Sequence, residues 1–261
     1  MRGWVGLYRT SVALGLRHLL RRGYSREAVV RVVIPLDPSR YLELPWAMQA
    51  LAPATGSRVL DLGSPKLLAV ALARGGAHVT TVDEHEGEIA SWRALTDREA
   101  NLELVVADGR ALPFADESFD HATSISVLEH VAGDDGDARA LAELARCVRP
   151  GGRVVLTLPY AAEARTEFRQ TPAYADHGVR DEAGRSFFQR WYDAASVERL
   201  VRAVPPLELA ACTVARMAPN WSAAYNRSFP WLVPLGPLYG LLGRERIGPG
   251  GDVVRLQLVR R

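Results

Sequence analysis

The sequence contains little lysine, little cysteine and little net charge. Lys66 is its single lysine, so the basic residues are otherwise arginine, and 32 basic residues against 30 acidic ones leave a net charge of +2. This mild excess gives no reason to expect a nucleic-acid partner. Cys147 and Cys212 are too few and too far apart for a zinc site or a disulfide framework, so no metal is expected.

Long uninterrupted apolar runs are also missing. The first 24 residues lack the extended apolar core and cleavage site of a secretory signal, which predicts a cytoplasmic protein. Prolines and glycines interrupt the C-terminal run SFPWLVPLGPLYGLLG, so it is not expected to span a bilayer. The basic amphipathic segment over residues 4–22 could touch a membrane surface peripherally, or pack over the rim of the main domain, which is the commoner arrangement.

Apolar periodicity divides the chain at about residue 52. Residues 1–52 predict a helical extension or lid: a helix over about 4–22, a second one capped by Ser25, and an irregular, proline-containing connection. Residues 53–261 alternate apolar strands with amphipathic helices, from RVLDLG to the closing strands LELAACTVARM and DVVRLQLVR. This order predicts an α/β fold with a doubly wound, mostly parallel, seven-stranded sheet.

The turn after the first predicted strand is short of glycine. Residues 59–66 read VLDLGSPK, with Gly63 alone where nucleotide-binding turns usually carry several glycines. Ser64 and Pro65 predict the N-cap and first residue of the following helix. The missing G-x-G-x-x-G pattern also makes an NAD-dependent oxidoreductase a weak hypothesis.

Acidic residues stand at the carboxyl ends of three successive predicted strands: Asp61, Asp83 and Asp108. In an open parallel sheet these ends line one crevice, where ligands bind. A carboxylate after the second strand can accept both hydroxyl protons of a ribose, and Asp83 has that position. Taken singly, each aspartate is more often a turn or cap residue, so the prediction rests on the ordered set.

The segments VLDLGS, TVDEHE, ADGRALPFADESFD, SISVLEHV and LARCVRPGGRVVLTLPY resemble, in this order, the class I S-adenosylmethionine-dependent methyltransferases, over roughly residues 58–160. The resemblance implies the Rossmann-like methyltransferase fold, S-adenosylmethionine as cofactor, the methionine part beside Asp61, the ribose at Asp83 and the adenine amino group at Asp108. It implies cofactor contacts for a set of residues along the strand ends: Asp61, Leu62, Gly63, Ser64, Asp83, Glu84, Ala107, Asp108, Gly109, Ser124, Ile125 and Glu129.

The chain departs from the family where further glycines usually follow Gly63, since Pro65, Lys66 and Leu67 stand there. Two interpretations of Lys66 are open. Its ammonium could pair with the methionine carboxylate of the cofactor, or it could be a solvated residue of the first helical turn.

The residues that would bind the methyl acceptor are less clearly indicated by the sequence. His130 could serve as a general base toward an acceptor hydroxyl, although the family often carries Glu-His there without a catalytic histidine. Candidate substrate residues are grouped around the N-terminal lid and the segment after the fifth strand, with core or surface packing as the alternative for each: Tyr41, Tyr160, His177, Arg190 and Trp191. The fourth strand ends in SISV rather than Asn-Pro-Pro-Tyr, which favours a hydroxyl or carbon acceptor on a small molecule and leaves an amine open. The alternative function is a methyltransferase-like binding or partner protein without turnover.

Overall fold

The computed structural model describes residues 3–171, 178–218 and 236–261. Its helices, in chain order, are α1 Trp4–Arg22, α2 Arg26–Val33, α3 Arg40–Leu51, α4 Lys66–Arg74, α5 Glu86–Leu95, α6 Gly136–Cys147, α7 Ala194–Arg202 and α8 Gly236–Leu242. Its strands are β1 Arg58–Leu62, β2 His78–Asp83, β3 Leu102–Val106, β4 Phe119–Ile125, β5 Val148–Pro159, β6 Arg165–Arg169, β7 Ser186–Trp191, β8 Leu207–Ala218, β9 Arg244–Ile247 and β10 Val253–Arg260.

The main sheet runs in the order β3-β2-β1-β4-β5-β10-β8-β9. The first five strands in this order are mutually parallel, and β10 is antiparallel to both of its neighbours. The predicted doubly wound, mostly parallel α/β sheet is therefore confirmed. Within the described residues it has eight strands rather than seven, because the short strand β9 adds an edge beside β8. The strand order reverses between β1 and β4, which is where such sheets place a ligand crevice.

Two hydrophobic cores cover the two faces of this sheet, because neighbouring residues of a strand point to opposite faces. On β5, Val155 packs with residues of α1 to α5, whereas Val154 and Leu156 pack with residues of α6 and α7. The N-terminal helices share the first core with α4 and α5. The boundary at residue 52 stays a prediction.

Helix α3 replaces the irregular connection expected before β1, and that prediction was wrong. Pro45 lies inside the helix, where it removes a backbone donor. Burial of one face outweighs this cost, since Tyr41, Leu44, Ala47 and Leu51 are all buried at helical spacing.

Two element boundaries have clear local causes. The RPGG segment after α6 forms the start of β5, where a Cβ on Gly152 would collide with the carbonyl oxygen of Asp120. Helix α7 is capped by Asp193, since the backbone N–H of Ser196 donates to Asp193 Oδ1 at 2.8 Å. Ser196 is the third helical residue of this capping box.

Strands β6 and β7 form a separate antiparallel pair between β5 and α7, which the sequence patterns did not indicate. This pair carries Phe187 and Phe188 to the cavity described below. Within the described residues, no helix is long and apolar enough to cross a membrane. The cytoplasmic location stays a prediction.

Candidate active site

A cavity of about 560 Å³ opens at the carboxyl ends of β1, β2, β3 and β4, a size typical of small-molecule sites. Nine of the sequence-predicted site residues line it: Leu62, Gly63, Asp83, Glu84, Ala107, Asp108, Gly109, Ile125 and His130. The fold therefore brings together, at the topological switch point, residues that are up to 68 positions apart in the chain (His130 minus Leu62).

Four other predicted residues lie behind the lining: Asp61, Ser64, Ser124 and Glu129 are buried, and the lining does not include them. Asp61 accepts a hydrogen bond from Thr81 Oγ1 at 2.6 Å. Burial raises the pKa of Asp61 to about 6, opposed by the hydroxyls of Ser64 and Thr81 and by the charge of Lys66. Asp61 therefore belongs to the support beneath the cavity.

The turn at Gly63 has a backbone that requires glycine. Its φ is +63°, and a Cβ there would lie 2.7 Å from Val127 Cγ1. The helix begins one residue later than predicted, at Lys66, with Pro65 in the N-cap position at a non-helical ψ of 114°. Ser64 is not the N-cap, because its Oγ accepts the backbone N–H of Ile125 at 2.8 Å and so ties the turn to β4.

Lys66 is almost wholly buried, with 1% of its surface exposed, so its interpretation as a solvated residue was wrong. Its Nζ forms an ion pair with Asp83 Oδ2 and lies 3.4 Å from Glu88 Oε1 at the start of α5. Burial alone would lower the pKa of Lys66, but the nearby carboxylates of Asp83 and Glu88 raise it. The ammonium is therefore charged and bridges α4, β2 and α5.

Both carboxylates that the resemblance assigns to the nucleoside are already paired with cations of this chain. Asp83 binds Lys66 through Oδ2, and its Oδ1 accepts the backbone N–H of His85 at 2.9 Å. Asp108 receives the Arg110 guanidinium side-on, with Nε 3.0 Å from Oδ1 and Nη2 2.8 Å from Oδ2. These hydrogen bonds lower the pKa of Asp108 and keep it ionised.

A polar cluster on the other side of the cavity joins α3 to the ends of β4 and β5, and the sequence patterns did not indicate it. Glu43 accepts from Arg40 Nη1 at 2.6 Å, from Ser126 Oγ at 2.8 Å and from Thr157 Oγ1 at 2.9 Å. Ser126 has a φ of +55°, unusual for a residue with a side chain, and these hydrogen bonds hold it there. Arg40 and Ser126 both line the cavity.

His130 forms part of an aromatic wall. Its Nδ1 lies 2.8 Å from the carbonyl oxygen of Phe188, which can only accept, so the neutral ring carries its proton on Nδ1 and has Nε2 as the acceptor nitrogen. Burial lowers the pKa of His130. The rings of His130 and Phe188 are 5.1 Å apart, and Phe187 completes this wall. The phenylalanines stand just before the predicted substrate residues Arg190 and Trp191 in the chain.

The four predicted substrate residues that the structure describes do not line this cavity. Tyr41 is a core residue, 4% exposed and packed edge-on against Trp4 at 5.2 Å. Tyr160 pairs with Tyr192 through a backbone bridge. Arg190 and Trp191 border a different, shallower depression next to α7, where Arg190 donates to the carbonyl oxygen of Val131 and Trp191 to Glu167. His177 lies outside the described residues.

The position of Arg190 has a physical reason. The bulky and charged side chains after β5 are used to attach the β6–β7 pair to the loop after β4: Arg190 Nη1 lies 2.7 Å from the Val131 carbonyl oxygen. Phe187 and Phe188 both line the cavity although they are neighbours in β7, because the register of the β6–β7 pair shifts at this point.

Comparisons with known proteins agree with this architecture. A family model described as a methyltransferase domain matches residues 60–156. A demethylmenaquinone methyltransferase of Mycobacterium sp. (strain KMS) is 40% identical over 140 residues, which are 50% of this chain and 54% of that protein. One of Corynebacterium kroppenstedtii is 31% identical over 165 residues, 58% of this chain and 69% of that protein. The chain spans about half the length of the first curated relatives it matches.

Among solved structures, the Burkholderia thailandensis 1,6-didemethyltoxoflavin-N1-methyltransferase with bound 1,6-didemethyltoxoflavin and S-adenosylhomocysteine superposes with a TM-score of 0.55. The match covers 100% of this chain and 90% of that one at 17% identity, which is evidence for a shared fold alone. The similarity to the Corynebacterium protein extends over 69% of that protein, and the strand-end residues and the sheet topology agree with it. The chain therefore belongs to the class I S-adenosylmethionine-dependent methyltransferases.

Proposed function

We propose that this protein transfers a methyl group from S-adenosylmethionine to a hydroxyl or carbon of a small aromatic acceptor, with an amine as the less favoured acceptor. The observation that carries the proposal is a cavity that is lined both by the strand-end carboxylates Asp83 and Asp108 and by the rings of His130, Phe187 and Phe188. The names of the curated relatives support a quinone-type ring as the first acceptor to test.

The residues present fit the cofactor chemically. Asp83 and Asp108 offer carboxylate oxygens to a ribose diol and to an exocyclic amino group. Gly63 keeps the turn narrow, since a side chain there would collide with Val127. The cofactor would supply a methyl group on a positively charged sulfur, which is already a good leaving group.

Because the leaving group is activated, the protein mainly has to orient the acceptor, exclude water and receive a proton. The phenylalanines of β7 support a flat acceptor ring at the cavity wall. His130 is the proposed base, since its lowered pKa keeps the ring neutral and Nε2 is the nitrogen able to accept the acceptor's hydroxyl proton. Arg40 lies on the same side and would stabilise the resulting oxyanion.

One observation favours the second candidate, a binding protein without turnover. Lys66 and the backbone of His85 already occupy both oxygens of Asp83, so a cofactor must compete with contacts of the protein itself. This candidate retains ligand binding in the cavity and dispenses with methyl transfer.

The test is methyl transfer from S-adenosylmethionine labelled on the methyl group to a panel of hydroquinones, phenols and aromatic amines, read by mass spectrometry. His130→Gln is expected to lower kcat about a hundredfold or more while the dissociation constant for S-adenosylhomocysteine stays at the wild-type value. Asp83→Ala is expected to weaken the binding free energy of S-adenosylhomocysteine by roughly 1.5 to 3 kcal/mol, which is the scale of hydrogen bonds to a charged group.

The outcomes separate the two candidates. Label in a hydroquinone or phenol supports the enzyme, and label confined to amines would replace the acceptor assignment. Tight binding of S-adenosylhomocysteine with no transfer to any acceptor would favour the binding protein. A His130→Gln variant with wild-type kcat would remove the base from the mechanism.

A further inference from the structure

Lys66 has two carboxylate partners on two different elements. Asp83 ends β2 and belongs to the rigid sheet, with 9% of its side chain exposed. Glu88 lies in the first turn of α5, with 46% of its side chain exposed, and its Oε1 is 3.4 Å from the same Nζ. The ammonium thus has one fixed partner and one that is free to adjust its rotamer.

The fixed partner is the residue that a ribose would need. Lys66 occupies Oδ2 of Asp83 and the backbone of His85 occupies Oδ1. A diol that takes this carboxylate in bidentate fashion competes with the ammonium for Oδ2 and with the His85 N–H for Oδ1. The side chain of Lys66 is 1% exposed, so a displaced ammonium could not turn to bulk water, and leaving it unpaired in the interior would be very unfavourable.

We propose that Lys66 moves between two partners: it holds Asp83 when the cavity is empty and transfers to Glu88 when the nucleoside of the cofactor binds, which frees Asp83 Oδ2 for a ribose hydroxyl. Glu88 is then a positioning residue for cofactor binding that acts through Lys66. This inference rests on the proposed use of S-adenosylmethionine and explains how the glycine-poor first turn remains compatible with it.

The single lysine of the chain makes the transfer directly observable. Protein grown with ¹⁵Nζ-lysine and with ¹³C-labelled aspartate and glutamate gives one lysine ammonium signal, and a correlation across the hydrogen bond identifies its partner carboxyl carbon. We expect an aspartate carbon without ligand and a glutamate carbon at saturation with S-adenosylhomocysteine. A correlation that stays on aspartate at saturation would overturn the proposal.

A mutant cycle measures the same coupling by calorimetry. Glu88→Gln is expected to weaken S-adenosylhomocysteine binding about tenfold, because the displaced ammonium loses its second charged partner. The same substitution in a Lys66→Met background is expected to change affinity by less than about twofold, since no ammonium needs the partner. Glu86→Gln, the same change on the exposed first turn of α5, is the matched control and should bind like wild type.

Different results would separate a failure of the proposed function from a failure of the inference about Lys66. If wild-type protein does not bind S-adenosylhomocysteine at all, the proposed function fails. If it binds and Glu88→Gln weakens binding equally in both backgrounds, Glu88 contacts the ligand itself and the inference fails. If Lys66→Met binds as poorly as Asp83→Ala, Lys66 is a direct ligand contact and the inference also fails. If Lys66→Met does not fold, the NMR correlation between the Lys66 ammonium and its partner carboxyl carbon, measured in wild type and in Glu88→Gln, tests the proposal by itself.

Discussion

Glu129 is a carboxyl group buried without a full set of partners. It is 2% exposed, and its Oε2 accepts no hydrogen bond within the described part of the chain. Burial raises its pKa to about 8, its own backbone hydrogen bond and the charge of Arg40 lower it, and the carboxylate of Glu43 raises it further. Near neutral pH the folded protein therefore holds this group largely as the neutral acid.

A pH dependence of stability follows. The unfolded chain ionises Glu129 near pH 4.3, whereas the folded state resists ionisation until about pH 8, so the protonated form favours folding. This contribution is complete below about pH 4 and is lost as the pH rises to about 8. We expect Glu129→Gln, which keeps the shape and stays neutral, to be more stable than wild type by on the order of 5 kcal/mol at pH 9 and by only about 1 kcal/mol at pH 5.

Denaturant unfolding at both pH values measures this difference. Glu163→Gln, on the exposed loop before β6, is the control and should follow the wild-type profile. Parallel profiles for Glu129→Gln and wild type would show that Glu129 is ionised in the folded protein at neutral pH.

For single residues, the sequence predicted the position of a side chain in the fold better than it predicted which side chain that residue pairs with. The place of Asp83 follows from strand length and chain order, which the apolar pattern contains. The pairing of Lys66 with it does not, because the reach of a long side chain from α4 to β2 and α5 depends on how these elements pack. Patterns along the chain do not contain that distance.

Helix α3 is the element that connects the N-terminal segment to the site, and Glu43 is the residue that fixes it. Its carboxylate is 1% exposed and accepts hydrogen bonds from its own helix, from the end of β4 and from β5. Removing it leaves the buried hydroxyl of Thr157 and the guanidinium of Arg40 with fewer partners. We expect Glu43→Ala to lower the free energy of unfolding by about 2 to 4 kcal/mol.

Glu27→Ala is the matched comparison on α2. Glu27 pairs with Arg31 at 2.9 Å on a more exposed helical surface, and such pairs contribute below about 0.5 kcal/mol. Urea unfolding of both variants gives the two differences. A loss below about 1 kcal/mol for Glu43→Ala would mean that water replaces the carboxylate and that the cluster does not fix α3.

The proline in α3 explains why this element escaped prediction. Local preference disfavours a helix at Pro45, and the helix is stabilised by tertiary contacts instead, namely the burial of Tyr41 and Leu44 and the hydrogen bonds of Glu43. By contrast, α1 and α2 were predicted correctly, since apolar spacing and the Ser25 cap agree with the tertiary structure; Ser25 Oγ accepts the N–H of Ala28 at 3.4 Å.

At the level of the whole molecule, the strands of the parallel part and their succession along the chain could be predicted from the sequence, because each buried strand is a short apolar run ended by a turn residue. The β6–β7 pair was not, because its strands are amphipathic, half exposed and stabilised by contacts with the loop after β4. The nucleoside side of the cavity could thus be predicted, whereas its aromatic side depended on a pairing between distant segments.

The N-terminal helices belong to the same core as the sheet. Seven large side chains from this segment are buried: Trp4, Leu7, Leu14, Leu36, Tyr41, Leu44 and Leu51. Burial of each large apolar side chain contributes about 1.5 to 3 kcal/mol, so together they exceed 10 kcal/mol, which is comparable with the whole stability of a typical domain. A chain of residues 53–261 alone is therefore expected to lose cooperative unfolding and to expose the apolar faces of α4 and α5.

The comparison that isolates this effect is a full-length chain with a specific protease site placed in the turn at residues 53–57 and cleaved after folding. Cleavage breaks the backbone but keeps the helices in place, so the cut protein should retain a cooperative thermal transition, measured by calorimetry, while residues 53–261 expressed alone should bind a hydrophobic dye and show none. Cooperative unfolding of the shortened chain within a few degrees of the full-length protein would mean that the extension is a detachable lid. If the cleaved protein and residues 53–261 alone both lose the thermal transition, cooperative unfolding depends on an unbroken backbone rather than on the buried side chains.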